Sequence, residues 1–266
     1  MEIMLEINLP DYAEETIIRF IKDFAGDKKV VIGMSGGLDS SLVAKLCVMA
    51  LGKEKVLGVH IPEDATPSQD TEDAEFMARE LGVELRVIPI GEIVTLIKDR
   101  IGINKRMSVA NLKARVRMNI LYAIANEEQR LVAGTSNKSE LLVGYFTKYG
   151  DGASDFAPIG DLYKTQVRLL AQQVGIPERI IKKAPSAGLL PGQLDEEEMG
   201  IDYQTLDKIL YAMELGYSKS DIVNNLNISS ELVEKVFDMH ERSRHKRVML
   251  YIPKTGIRTV NTDWRE

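Results

Sequence analysis

The chain has 266 residues, 44% of them hydrophobic, enough to bury a sizeable core as one large domain or two small ones. Acidic residues outnumber basic ones by 40 to 34, for a net charge of -6; this excludes a general nucleic-acid binder, because phosphate contacts need clustered Lys and Arg, while a local basic patch stays open. The single cysteine, Cys47, excludes an internal disulfide and a cysteine-rich metal site.

Residues 11–25 place Ile17, Phe20, Ile21 and Phe24 at helical spacing. Residues 29–34 are a β-branched run, read as a buried strand. A helix from Asp39 to about Leu51 follows, and in its apolar stripe Cys47 reads as a small buried hydrophobe. Next come a strand over Val56 to Ile61, a helix over Ser68 to Leu81 stopped by Gly82, and a strand over Glu84 to Ile90. Helices over about Ile93 to Arg100 and Val109 to Glu127 lead to a strand over Leu131 to Gly134.

Strands alternating with helices predict an α/β fold: three αβα layers around a mostly parallel, twisted sheet, Rossmann-like, with helices added at the C-terminus. Ligands bind such sheets at the carboxyl ends of the strands. The segment after the first strand and Thr135 after the last should therefore face one crevice.

Residues 144–166, rich in Gly, Asp, Tyr and Phe, read as an ordered loop of the kind that carries function. Residues 186–201, SAGLLPGQLDEEEMGI, read as mobile and lid-like. Residues 203–245 return to helix. Within them 217–245 have helix-turn-helix spacing, but a groove-bound segment 229–240 would bring Glu231, Glu234 and Asp238 to phosphates with only Lys235 opposing. A packed helical hairpin is the better account. No apolar run reaches the roughly 18 residues of a membrane span, and the start, MEIMLEINLPDY, lacks the positive charge of a signal peptide. A cytoplasmic protein, bound neither to membrane nor to nucleic acid, is expected.

The sharpest motif is Gly33-Met34-Ser35-Gly36-Gly37-Leu38-Asp39-Ser40, placed between strand and helix. Its glycines let the backbone approach a ligand, and its amides would meet an anion at the positive end of the helix. A tight turn without a ligand is the plainer alternative. The motif is not a Walker loop, since Lys45 falls too far into the helix. The carboxylate of Asp39 beside phosphates makes sense with a divalent cation between them.

SGGLDSS is similar to the pyrophosphate loop of the N-type ATP pyrophosphatases, which split ATP into AMP and pyrophosphate. KARVRMNILYAIAN (113–126), VAGTSNKSELLVGYFTKYGDGASDFAPIGDLYKTQVR (132–168), APSAGLLPGQLDEEEMGI (184–201) and the pair His245-Lys246 resemble the ammonia-dependent NAD⁺ synthetases over about residues 10–250. The resemblance implies that deamido-NAD⁺ is adenylated by ATP and then amidated by ammonia, with AMP and pyrophosphate released. It implies ATP contacts from Gly33 to Ser40 and from Thr135, Lys164 and Ser186. It places Mg²⁺ on Asp39 and Glu140, and deamido-NAD⁺ on Arg115, Lys148, Asp155, His245 and Lys246. It further implies one synthetase domain over 1–266, divided into an N-terminal helix (1–25), a pyrophosphatase core (26–183), a lid-like loop (184–202) and C-terminal helices with a tail (203–266).

Taken singly, these residues stay open to other roles. Glu140 fits a helix-start carboxylate, and Lys164 an exposed lysine. Arg115 and Arg117 fit a solvated helix face near Lys113, and Ser186 after Pro185 a turn or N-cap. Lys148 and Asp155 fit a pair with each other, and His245 a cation at a helix end. Two rival functions are disfavoured: a tRNA-adenylating enzyme should be basic and often carries paired cysteines, whereas the pI is 5.3, and a nucleotide sensor would not need both Asp39 and Glu140. The length ahead of the motif leaves no room for a glutaminase domain, so ammonia is expected free or from a separate protein. A homodimer is implied by the resemblance; the apolar faces of Ile120, Leu121 and Ile124 suit an interface and a core equally.

Overall fold

A computed structural model of the chain describes residues 6–64, 66–186, 188–190, 192–248 and 250–260. The ends of the N-terminal segment and of the C-terminal tail, and two positions of the lid-like loop (187 and 191), lie outside the described residues. Helix α1 (Ala13–Ala25) leads to β1 (Lys29–Gly33), α2 (Leu38–Leu51), β2 (Val56–His60), α3 (Ser68–Leu81) and β3 (Glu84–Val87). After α4 (Gly91–Ile101) and α5 (Arg106–Glu127) comes β4 (Arg130–Ala133). Helices α6 (Lys138–Val143), α7 (Lys164–Gln173) and α8 (Glu178–Ile181) follow, then α9 (Asp195–Met199), α10 (Tyr203–Glu214), α11 (Lys219–Leu226), α12 (Ser230–Arg242) and α13 (Arg244–Arg247).

The strands form one four-stranded sheet in the order β3-β2-β1-β4, every pairing parallel. Side chains on a strand alternate between faces. Val30 and Ile32 join α1, α2, α3 and α7 in one core, while Val31, Leu57 and Val59 join α4 and α5 in another. All five are 0% exposed, and each stabilises the fold by about 1.5–3 kcal/mol. Helices on both faces give the expected αβα layering. Ile120, Leu121 and Ile124 pack against the second core, which resolves their reading toward core. Cys47 is 0% exposed, and burial pushes its thiol up to about 12, so it is inert packing.

The strand order fixes where a ligand can enter. The chain leaves β1 for β2 and β3 on one side and returns to β4 on the other. The turns after β1 and β4 therefore part company, opening the switch-point crevice of a doubly wound sheet. That crevice lies where the sequence placed the Gly-rich motif and Thr135.

Several boundaries shift by one or two residues, such as β2, α4 and β4, and four differences are larger or change an element. β3 ends at Val87 rather than Ile90 because Pro89 has no N–H for the ladder; Ile88 and Ile90 still donate to the carbonyls of His60 and Pro62. α5 starts at Arg106, three residues early. The loop over 144–166 ends in α7, whose first residue is Lys164. The lid-like stretch contains the short α9. α11 and α12 form the expected packed hairpin, with Ile222, Val233 and Val236 buried in a third core built around α10.

Candidate active site

The glycine-rich turn enters α2 through Gly37. Gly36 sits at φ +78, where L side chains are strained, and a Cβ there would lie 2.2 Å from the Asp70 carbonyl oxygen. The loop is braced by serines. The Ser35 amide donates to Ser40 Oγ at 3.3 Å, and the Gly37 amide to Ser35 Oγ at 3.2 Å. These amides take oxygen acceptors, the atom type a phosphate offers, at the positive end of a 14-residue helix. His60, at the end of β2, donates from Nδ1 to the Met34 carbonyl at 2.8 Å and accepts at Nε2 from Thr71 Oγ1 at 2.9 Å. Burial lowers its pKa, so the ring is neutral, and the carbonyl partner places its proton on Nδ1.

Asp39, in the first turn of α2, pairs with Lys164 Nζ and accepts from Asn137 Nδ2 at 3.3 Å. The same ammonium is 3.7 Å from Glu140 Oε1. Lys164 is 2% exposed, which rules out an ordinary surface lysine. Glu140 takes the helix-start role. It completes a capping box on α6, its Oε2 accepting from the Asn137 amide at 3.3 Å, while its Oε1 faces Lys164 and the Tyr203 hydroxyl at 3.4 Å. Burial first, and then the charge of Asp39, push the Glu140 carboxyl up to about 8. Two carboxylates held together around one ammonium suit a divalent cation. No group of three or more His, Cys, Asp or Glu is set to hold a metal among the described residues, so substrate oxygens would have to complete the shell, as Mg²⁺ prefers.

One crevice is lined by Gly33 to Ser35, Gly37 to Ser40, Thr135, Glu140, Lys164 and Ser186. Every member of the ATP and metal sets but Gly36 is on that wall, and Gly36 stands behind it against Asp70. The second set is elsewhere. Arg115 Nε and Nη2 each donate to the Lys148 carbonyl at 3.3 Å. Lys148 Nζ donates to the carbonyls of His245 and Val248, the latter at 2.9 Å. Lys246 Nζ reaches the carbonyls of Gly144 and Phe146 at 2.7 and 2.8 Å. Asp155 accepts from the Val132 amide at 2.7 Å and the Tyr122 hydroxyl at 3.3 Å. Lys148 and Asp155 thus have other partners rather than each other. Arg115, Lys148, His245 and Lys246 gather about segment 144–148, and none of them lines the crevice.

The solvated-face reading of α5 holds for Arg115 only. Arg117 lines the crevice, donating to the carbonyls of Ile61 at 3.0 Å and Gly188 at 3.3 Å. Lys113 is 7% exposed, pairs with Glu63 at 2.6 Å and donates to the Leu189 carbonyl at 2.9 Å. Asp151, Asp195, Lys183 and His60 also line the crevice and were not singled out by sequence. Asp151 lies in the GDG of the recognised stretch, which was the available signal; burial holds its carboxyl above the usual range.

Comparisons with known proteins cover most of the chain. A family model described as NAD synthase matches residues 13–250. An NH₃-dependent NAD⁺ synthetase of Archaeoglobus fulgidus is 53% identical over 233 residues, 87% of this chain and 91% of that one. Among solved structures, an NMN synthetase from Francisella tularensis superposes with a TM-score of 0.82 at 33% identity, covering 94% of this chain and 100% of that chain. An NH₃-dependent NAD synthetase from Campylobacter jejuni gives 0.79 at 31%, with the same coverage.

Proposed function

The chain belongs to the NAD synthase family, and from that premise we propose that its crevice amidates deamido-NAD⁺ with ammonia. ATP is cleaved between its α and β phosphates, the nicotinate carboxylate is adenylated, pyrophosphate leaves, and ammonia displaces AMP. The observation that carries this reading is the Asp39–Lys164–Glu140 cluster set beside an amide-lined loop at the sheet's switch point. That arrangement sets one ammonium beside the phosphate position with two carboxyl groups that could hold a divalent cation, and adenylation requires no side-chain nucleophile. Orienting the reactants supplies roughly 7–11 kcal/mol of the barrier.

In this reading the amides of residues 35–40 take the oxygens of the departing pyrophosphate, those of Ser35 and Gly37 by exchanging their serine Oγ partners for it, and Lys164 meets the phosphates as a point charge. The hydroxyls of Thr135 and Ser186 hold ATP. Asp39 and Glu140 would hold Mg²⁺, which when bound neutralises phosphate charge. Arg115, Lys148, Asp155, His245 and Lys246 receive deamido-NAD⁺, whose own pyrophosphate and carboxylate suit cationic partners. Asp151, a carboxylate kept out of bulk water, is placed to hold ammonium and accept its proton before attack. The chain works as a homodimer, for which exposed Leu96, Ile101 and Met107 on α4 and α5 offer apolar surface, and it is assigned to the cytoplasm with its nucleotide substrates. No helix of the described residues is long and apolar enough to cross a membrane.

The test is a product assay with ATP, Mg²⁺, ammonium and deamido-NAD⁺. NAD⁺, AMP and pyrophosphate are expected in equal amounts; ADP with orthophosphate overturns the proposal. Full turnover on glutamine alone contradicts the ammonia assignment. Nicotinate mononucleotide is run in parallel, because one solved relative is an NMN synthetase; a preference for it would change the substrate and leave the chemistry standing. Light scattering that finds a monomer removes the dimer.

A further inference from the structure

A cradle of main-chain amides attracts an oxyanion only if its carbonyls point away, and each carbonyl turned outward needs a partner of its own. In the loop over residues 33–40, His60 serves the Met34 carbonyl and the hydroxyls of Ser40 and Ser41 serve that of Gly37, and Gly36 draws on a more distant side chain. Its carbonyl oxygen receives Lys183 Nζ at 3.1 Å. The same ammonium meets Asp70 Oδ1 at 2.7 Å and Asp73 Oδ2 at 2.8 Å, both on α3. Two of its N–H donors go to Gly36 and Asp73 as hydrogen bonds, and Asp70 adds an ion pair. Lys183 therefore differs from Lys164, which faces the carboxylates of the crevice itself.

Charge balance points the same way. Asp73 also pairs with Arg179, so two carboxylates meet two cations and the back of the loop is neutral. Close packing leaves no slack, because α3 touches the loop at Gly36. Lys183 also stands three residues before Ser186, in the sequence KAPS, and both line the crevice. One side chain thus joins the loop, the first turns of α3 and the strand of chain that carries Ser186.

We propose that Lys183 is a positioning residue for the phosphate loop, a role that rests on the reading of residues 33–40 as a pyrophosphate cradle. It holds the Gly36 carbonyl on the outer side, so that the loop amides converge on the pyrophosphate, and it sets Ser186 against the same nucleotide. It touches no reacting atom.

The experiment compares Lys183→Met with Arg179→Met, which removes the other cation from Asp73 without touching the loop. Loss of one charge-assisted hydrogen bond should raise KM for ATP roughly ten- to a hundredfold in Lys183→Met. KM for deamido-NAD⁺ at saturating ATP, and every constant of Arg179→Met, should stay within about twofold of wild type. The double variant Asp70→Asn/Lys183→Met restores charge balance without restoring the donor, and should remain impaired for ATP. Lys183→Arg keeps the charge with a planar fork in place of three rotating donors; it should show an intermediate rise and serves should Lys183→Met fail to fold. An unshifted KM for ATP in the Lys183 variants, an equal loss in Arg179→Met, or full recovery in the double variant overturns the inference. A wild-type protein that forms no AMP and pyrophosphate overturns the functional reading itself, and an active wild type with an unshifted Lys183→Met overturns only the role of Lys183.

Discussion

Lys164 and Glu140 face each other across the crevice at 3.7 Å, with the lysine also paired to Asp39. One ammonium thus faces two carboxyl groups; below a pH of about 8 Glu140 keeps its proton, so Lys164 and Asp39 balance each other. Replacing Lys164 with Met leaves the Asp39 carboxylate without its cation and takes the ammonium away from Glu140. The metal-free variant should lose roughly 3–5 kcal/mol of stability, as when one partner of a buried ion pair is removed. Mg²⁺ should recover part of that loss by binding the same two side chains. Thermal melts with and without Mg²⁺ check this; a variant whose melting temperature ignores Mg²⁺ would remove the metal from Asp39 and Glu140.

Glu140 gives a pH signature. Its carboxyl is pushed up from 4.5 to about 8, by burial and then by Asp39. Between those values the folded protein keeps a proton that the unfolded chain releases, so stability falls as pH rises through the window. The penalty is complete above about 8. In the metal-free protein, Glu140→Gln should flatten the decline in melting temperature over this range. Burial raises Asp151 as well, but that slope is common to both proteins and cancels in the difference. Parallel curves for wild type and Glu140→Gln would show that Glu140 is not the group that titrates.

The resemblance and the periodicity made the frame legible. The β-branched run at 29–34 and the glycine motif that overlaps its end made β1, the loop and the crevice legible, because a buried parallel strand and a tight turn are local demands on sequence. The roles of α5 were not legible. Lys113, Arg115 and Arg117 alternate along one helix, and composition alone reads all three as solvated. Which of them turns inward depends on Glu63 and on the carbonyls of residues 188 and 189, distant in sequence. His60 and Lys183 escaped notice for the same reason: each acts on a loop carbonyl, and a carbonyl leaves no trace in the residue code.

Gly36→Ala should damage the loop more than an equally left-handed glycine damages its own turn. Gly52 sits at φ +83 with nothing within 4 Å of its would-be Cβ, so Gly52→Ala meets only backbone strain, about 1–3 kcal/mol. Gly36→Ala adds a collision at 2.2 Å with the Asp70 carbonyl oxygen, which must move either α3 or the loop. Both variants should melt earlier, and only Gly36→Ala should raise KM for ATP. Equal nucleotide kinetics in the two would detach the glycine from the cradle.

An acyl adenylate can be taken by ammonia or by water, and a crevice that closes favours the first. Arg117 and Lys113 hold the carbonyls of Gly188 and Leu189 from α5, which draws that stretch of the lid-like loop across the crevice. Lys113 is already neutralised by Glu63, and removing it would leave a buried carboxylate unpaired, so Arg117→Met is the cleaner variant. It loses two hydrogen bonds from a guanidinium to carbonyls, roughly 1.5–3 kcal/mol each if fully formed, and with them much of the hold on residue 188. The expected result is a rise in AMP formed per NAD⁺ formed, because more adenylate is hydrolysed before amidation. Chromatography of the two products measures the ratio directly. A slower Arg117→Met enzyme that keeps the wild-type ratio would mean that the contact positions a substrate and does not exclude water.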